Sequence, residues 1–277
     1  MAIVGYGTET FLYINGLGTK HEMKLSDCIS LLPVDRKLPL NILANILKHD
    51  VDFAISILCA QNIAAQLRIS ATDAKNLAIS AWNAQWDFIL LGALFNCNTV
   101  CNIQCDKALE EIDSSARMNI TNYKLHGVFS EPYYLTLEDE IWIASYYSNA
   151  RALLDNSSYK TAVHSMATFR WHTVPRVQLA IIWSGIEALF DVSAELNFRI
   201  SLYGALFLSD NDKKTTKKWF DNIKKLYGAR SSAVHGGNIK GDEKKLVMRS
   251  ANLLNQLIRK CAEKNTLPDV DTLLFGS

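Results

Sequence analysis

Asp212–Gly237, DKKTTKKWFDNIKKLYGARSSAVHGG, reads as one long helix with its cap and its stop. Asp212 stands where a carboxylate can accept hydrogen bonds from the free amides of a first turn. The helix then runs from Lys213 to His235, and Gly236-Gly237 ends it, as glycine does beyond a helix terminus. Gly228 sits inside it and weakens it by about 1 kcal/mol relative to alanine.

Working outward, the neighbouring segments are helical too. Upstream lie Glu138–Leu154, Ser158–Trp171, a helix opening at Pro175 and running to about Phe190, and Ala194–Leu208. Proline is tolerated in a first helical turn, where its missing N–H is no loss. Downstream is Asp242–Glu263, and residues 264–277 form a C-terminal tail. The pattern changes before Glu131-Pro132. Thr10–Ile14 and Met23–Leu32 read as strands separated by the Asn15–Gly18 turn signal, and Val100–Gln104 and Ile120–Phe129 read as strands again. Asn41–His49 suggests a short helix. Ala71–Phe95 suggests a long one, capped by Thr72 or Asp73, with Ala78, Ala81, Trp82, Trp86 and Leu90 near helical spacing. Val51–Leu58 fits a strand or a buried helix equally. The expected fold is an α+β region, 1–131, followed by an all-α bundle, 132–263.

Bulk properties fit this division. The chain has 277 residues, room for two domains, and 49% hydrophobic against 21% charged residues argues for packed cores and against disorder. The net charge is +1, yet Asp210–Lys264 carries 14 basic and 6 acidic residues while the remainder carries 15 and 22. A basic segment on a neutral chain either attracts a polyanion or is a solvated helix face. MAIVGYGTETFLY lacks a basic, then apolar, leader, and Phe88–Phe95 and Val177–Phe190 are too short to span a bilayer. The expected location is cytoplasmic, with no membrane contact and with the six cysteines as reduced thiols.

Three segments carry a resemblance: IIWSGIEALF (Ile181–Phe190), ELNFRISLYGALFL (Glu195–Leu208) and KLYGARSSAVHGG (Lys225–Gly237). In order and spacing they resemble the Apea-like HEPN family, over roughly residues 132–263. The resemblance implies a helical bundle that pairs as a homodimer. It also implies a ribonuclease of a toxin, anti-phage or RNA-processing system, with RNA as partner. The family motif is an arginine, four to six residues, then a histidine. Arg230-Ser-Ser-Ala-Val-His235 has four, and no other arginine–histidine pair in the chain has the spacing. The family favours a polar residue after the arginine, which Ser231 supplies. Residues 1–131 lie outside the resemblance; a regulatory partner or ligand is one role for them, and no residue there names it.

These residue types suit RNA cleavage without a metal or other cofactor. The substrate's 2′-hydroxyl is the nucleophile, so a base must stand near it, an acid near the leaving 5′-oxygen, and positive charge at the phosphorane. Histidine titrates near neutral pH and serves as base or acid. Arginine offers a planar fork of donors to phosphate oxygens. The products are a 2′,3′-cyclic phosphate and a 5′-hydroxyl. Five residues along a helix give about 7.5 Å of rise and roughly 140° of rotation, so Arg230 and His235 do not stack on one face. One chain thus supplies a sparse site, and two motifs in one cleft a fuller one. The competing account is that Arg230 pairs with a carboxylate and His235 merely sits at the negative end of the helix dipole.

Among supporting residues, Glu187 in its apolar helix needs a partner. It either holds Arg230 or His235, or pairs with Arg199 to fix the bundle. Arg199 matches a family arginine and reads as structural. Tyr227, one turn before Arg230, either stacks on a base or packs. Cys97, Cys101 and Cys105 are spaced more widely than zinc pairs and lack a fourth ligand, so a buried face suits them better. Gly16-Leu-Gly18-Thr-Lys20 has the wrong spacing for a phosphate loop and looks like a hairpin turn.

Overall fold

A computed structural model describes residues 3–38, 40–47, 62–121, 131–190, 192, 194–210, 212–237 and 241–275. Contacts divide the chain into two compact units, residues 1–92 with 97–148, and residues 93–96 with 149–277. The sequence pattern turns helical near 132; the contacts divide inside the first helix that follows.

The first unit is built on a six-stranded antiparallel sheet in the order β3-β4-β5-β1-β6-β7. Its strands are β1 (Glu9–Asn15), β3 (Met23–Lys24), β4 (Ile29–Pro33), β5 (Ile63–Ser70), β6 (Val100–Cys105) and β7 (Met118–Ile120). β1 and β6 pair side by side and are buried on both faces; β1 carries the apolar run Phe11–Ile14, whereas β6 buries the polar Asn102 and Gln104 as well. Phe11, Tyr13, Ile103, Leu109 and Ile120 form the core on one side. Gln66 of β5 is itself buried and ties that strand to the turn at 109–111: its side chain accepts from the Leu109 amide and donates to Glu110.

Three expectations change here. Asn15–Gly18 is no hairpin turn, because β1 pairs with β5 and β6 rather than with the next strand, and β2 (Leu17–Gly18) leaves to pair in parallel with β8 (Tyr133–Tyr134). Met23–Leu32 is two short strands, because the Leu25 and Ser26 amides both turn back to the Ile29 carbonyl. The helix expected over 71–95 is two, α2 (Ala74–Asn83) and α3 (Gln85–Leu94), with Asp73 capping the first. They part at Ala84, whose carbonyl takes the Asp87 amide in a tight turn. That turn sets α3 where even Asp87 is buried, its carboxylate accepting from the Tyr147 hydroxyl at 2.7 Å. The short helix α1 (Leu40–Leu47) stands where the sequence places it. Val51–Leu58 and nearly all of Ile120–Phe129 lie outside the described residues.

The second half is helical, with no strand among the described residues after β8. In order come α4 (Leu137–Leu153), α5 (Ser157–Thr168), α6 (Pro175–Ala188), α7 (Leu196–Ser209), α8 (Lys213–Val234), α9 (Glu243–Lys264) and α10 (Val270–Phe275). The antiparallel sheet followed by a helical half is the α+β-then-helical layout read from the sequence. Asn156, Asp212 and Asp242 cap α5, α8 and α9 through their side chains. α6 lies against α5, α8 and α9. Gly185 is why it lies so close: an added Cβ would meet Ser165 Cβ at 2.8 Å and Leu254 Cδ2 at 3.1 Å. Trp183, wholly buried, donates its indole N–H to Ser250 of α9 at 3.2 Å. No helix among the described residues is long and apolar enough to cross a membrane.

Candidate active site

Trp183 and Glu187 are one turn apart on α6, and Tyr227 and Arg230 one turn apart on α8, so two pairs of side chains meet where the helices pack. Arg230 Nη2 donates to Glu187 Oε2 at 3.0 Å and lies 2.8 Å from Oε1. The guanidinium carbon stands 5.4 Å from the centre of the Tyr227 ring, which meets Trp183 edge-on at 5.2 Å. Tyr227 is thus a packed wall for the arginine, 7% exposed, and burial raises its hydroxyl above the usual range. Of the three partners open to Glu187, Arg230, His235 and Arg199, the fold selects Arg230. Arg199 instead reaches Glu195, one turn before it, in an exposed pair at 3.3 Å.

The pair is only partly dry, with side-chain exposures of 18% for Arg230 and 23% for Glu187. Burial still dominates: it pushes the Glu187 carboxyl above its ordinary range against the pull of Arg230. Glu187 engages one terminal nitrogen. Among the described residues, Arg230 Nε and Glu187 Oε1 are buried and take no hydrogen bond, so Nε is closed to any ligand; Glu187 takes Nη2, and Nη1 is the terminal nitrogen it leaves unengaged.

His235 lies apart from this group, at the C-cap of α8. Its amide donates to the Ser231 carbonyl at 3.0 Å, closing the last turn. Gly236 then takes φ +74°, the left-handed conformation that lets the chain turn away without strain. The imidazole is exposed and makes no hydrogen bond or ion pair among the described residues. Ser231 is half-buried and contributes its carbonyl to this turn. The structure therefore joins Arg230, Glu187 and Tyr227 and leaves His235 beyond them, with no hydrogen bond between the two motif side chains.

Arg176 was not singled out by the sequence, yet it holds the end of α8. Its Nη1 donates to the Ser232 and Ala233 carbonyls, each at 3.4 Å, and its Nη2 to the Gly237 carbonyl at 2.8 Å. A cation suits these free carbonyls at the negative end of a helix. One signal was visible: in the first turn of α6 an arginine opposes its own helix dipole, so its charge must answer to something else.

Among the described residues, no group of three or more His, Cys, Asp or Glu is placed to hold a metal ion. Cys97, Cys101 and Cys105 are buried in the first unit, and burial raises the Cys105 thiol above its usual range. No protein-family model matches the chain, and comparison with curated proteins and with solved structures gives no match either.

Proposed function

We propose that residues 132–263 form an Apea-like HEPN domain and that the chain is a metal-independent endoribonuclease, an effector of toxin or anti-phage type acting in the cytoplasm. The observation that carries this reading is the end of α8. An exposed, unengaged histidine follows five residues after an arginine that Glu187 holds through one terminal nitrogen, leaving the other unengaged. In this scheme His235 moves the proton, as base at the 2′-hydroxyl or acid at the leaving 5′-oxygen. Arg230 contacts the phosphate oxygens. Glu187 and the Tyr227 ring are positioning groups that fix the guanidinium. Attack of the 2′-oxygen on phosphorus breaks the bond to the 5′-oxygen and leaves a 2′,3′-cyclic phosphate and a 5′-hydroxyl.

One observation favours a second reading, a non-catalytic HEPN module that binds RNA or a partner protein: the Arg230 charge is already answered by Glu187. The experiment that separates the two is incubation of the purified chain with total RNA in EDTA beside the His235→Ala variant, with end-group analysis of the products. Cleavage that leaves cyclic phosphates and vanishes in the variant supports the enzyme. RNA left intact by both, or cut equally by both, overturns it.

A further inference from the structure

α7 and α8 enclose an open groove of 560 Å³ whose floor is Phe198, Leu202, Leu206 and Phe220 and whose rim includes Lys213 and Lys217. Phe198 is 53% exposed, an unusual setting for a ring with no polar atom. It meets Phe220 edge-on at 5.9 Å, and Lys217 Nζ and Lys224 Nζ lie 5.7 Å and 5.6 Å from the Phe220 centroid. Of the charges on α8 seven are basic and one, Asp221, is acidic; Asp221 takes Lys217 at 3.0 Å. Lys213 and Lys224 have no ion pair among the described residues.

Helix geometry links this groove to the motif. At about 100° per residue, Lys213, Lys217, Lys224, Gly228, Ser231 and His235 fall within roughly 40° of one line along α8, with Phe220 at its edge. The distance from Phe220 to His235 is about 22 Å along the axis. Gly228 is a gap in this line: a Cβ there would meet nothing within 4 Å, so no neighbour requires the glycine.

From this we infer that the α7–α8 groove seats unpaired bases of a single-stranded RNA, with Phe198 and Phe220 as the stacking platform and the α8 lysines guiding the backbone toward His235. The inference rests on the reading of RNA as the substrate. An apolar floor alone would accept any apolar partner. Cations at the rim and over the ring select a polyanion with flat apolar faces, and stacking on aromatic side chains suits any base that is not already paired.

The test uses the full chain carrying His235→Ala, so that bound RNA survives. Fluorescence anisotropy measures the affinity for a labelled ten-nucleotide single strand, for the same sequence as a duplex, and for an abasic ribose-phosphate oligomer of equal length. The single strand should bind most tightly. Phe198→Ala with Phe220→Ala should weaken it about tenfold or more and leave the abasic oligomer unchanged. Phe220→Trp should retain binding. Lys217→Gln with Lys224→Gln, which keeps both rings, should lower the slope of log Kd against log salt by about 0.7 per lysine. Equal affinity for the abasic oligomer, or indifference to loss of both rings, overturns the proposal. So does a fall in the solution mass of the double phenylalanine variant, which would make the groove a contact between copies of this chain. If the wild type cleaves RNA with KM unaltered by the ring substitutions, the groove assignment fails and the ribonuclease reading stands. Ring-dependent binding without cleavage gives the reverse, and no RNA binding at all removes both.

Discussion

Arg230 and His235 share a motif but not an environment, and the difference makes their substitutions separable. His235 is exposed and its ring has no partner among the described residues, so His235→Ala should leave the unfolding free energy within about 0.5 kcal/mol of the wild type. Cleavage should nevertheless fall about 10²–10⁴-fold, as for loss of a general acid or base. Arg230→Ala should also stop cleavage but strands Glu187, and half-burial of the pair sets the stability cost at about 1–3 kcal/mol. Calorimetry and single-turnover rates on both variants check this; an unstable His235→Ala protein would count against a catalytic role. Glu187 adds a pH signature. Burial raises its pKa, so the folded protein holds that proton more tightly than the unfolded chain. Stability should therefore fall as pH rises from the ordinary carboxylate value through the raised one, and Glu187→Gln should flatten that fall. Melting curves from about pH 4 to pH 8 give the comparison, against an unperturbed glutamate near 4.3.

At the scale of the helix, α8 was legible almost to its ends. A carboxylate cap at Asp212 and a glycine beyond His235 are local chemistry, and local chemistry is written in consecutive residues. The same holds for α6, α7 and α9. What consecutive residues do not write is partnership across elements. Choosing Arg230 over Arg199 for Glu187 depends on which face of α6 meets α8, and the clamp from Arg176 spans more than fifty positions. β1 reads as the first arm of a hairpin for the same reason, since its pairing with β5 and β6 is set by burial on both faces rather than by the turn that follows. Two substitutions test α8. Gly228→Ala fills open space on an exposed helix surface and should stabilise the protein by about 1 kcal/mol. Arg176→Ala should release the carbonyls at the C-terminus of α8 and speed amide exchange at His235, whose amide bonds the last turn. The cleavage rate should drop with it, and Arg176→Lys, a point charge without the fork, should restore it only in part. Unchanged exchange in Arg176→Ala would show that the clamp does not hold the turn.

For the molecule as a whole, assembly follows from what one chain lacks. The scheme asks for a base, an acid and positive charge around one phosphate. A single α8 offers one histidine and one arginine whose side chains share no hydrogen bond, with roughly 140° of helix rotation between them. Two chains with their α8 ends at one cleft would supply two of each, so the proposed enzyme is a homodimer. Light scattering should give twice the 31.1 kDa of one chain. Mass alone does not show a shared site, and mixed dimers do. Arg230→Ala and His235→Ala chains are each expected to be inactive by themselves. Unfolded together and refolded, they form hybrids in which one chain brings the arginine and the other the histidine. Where an active centre draws its arginine from one chain and its histidine from the other, half of the possible centres in each hybrid are intact, and part of the wild-type rate should return. If each chain builds its own centre, the mixture stays inactive at every ratio. A chain that remains monomeric at micromolar concentration and still cleaves RNA ends the shared-site account outright.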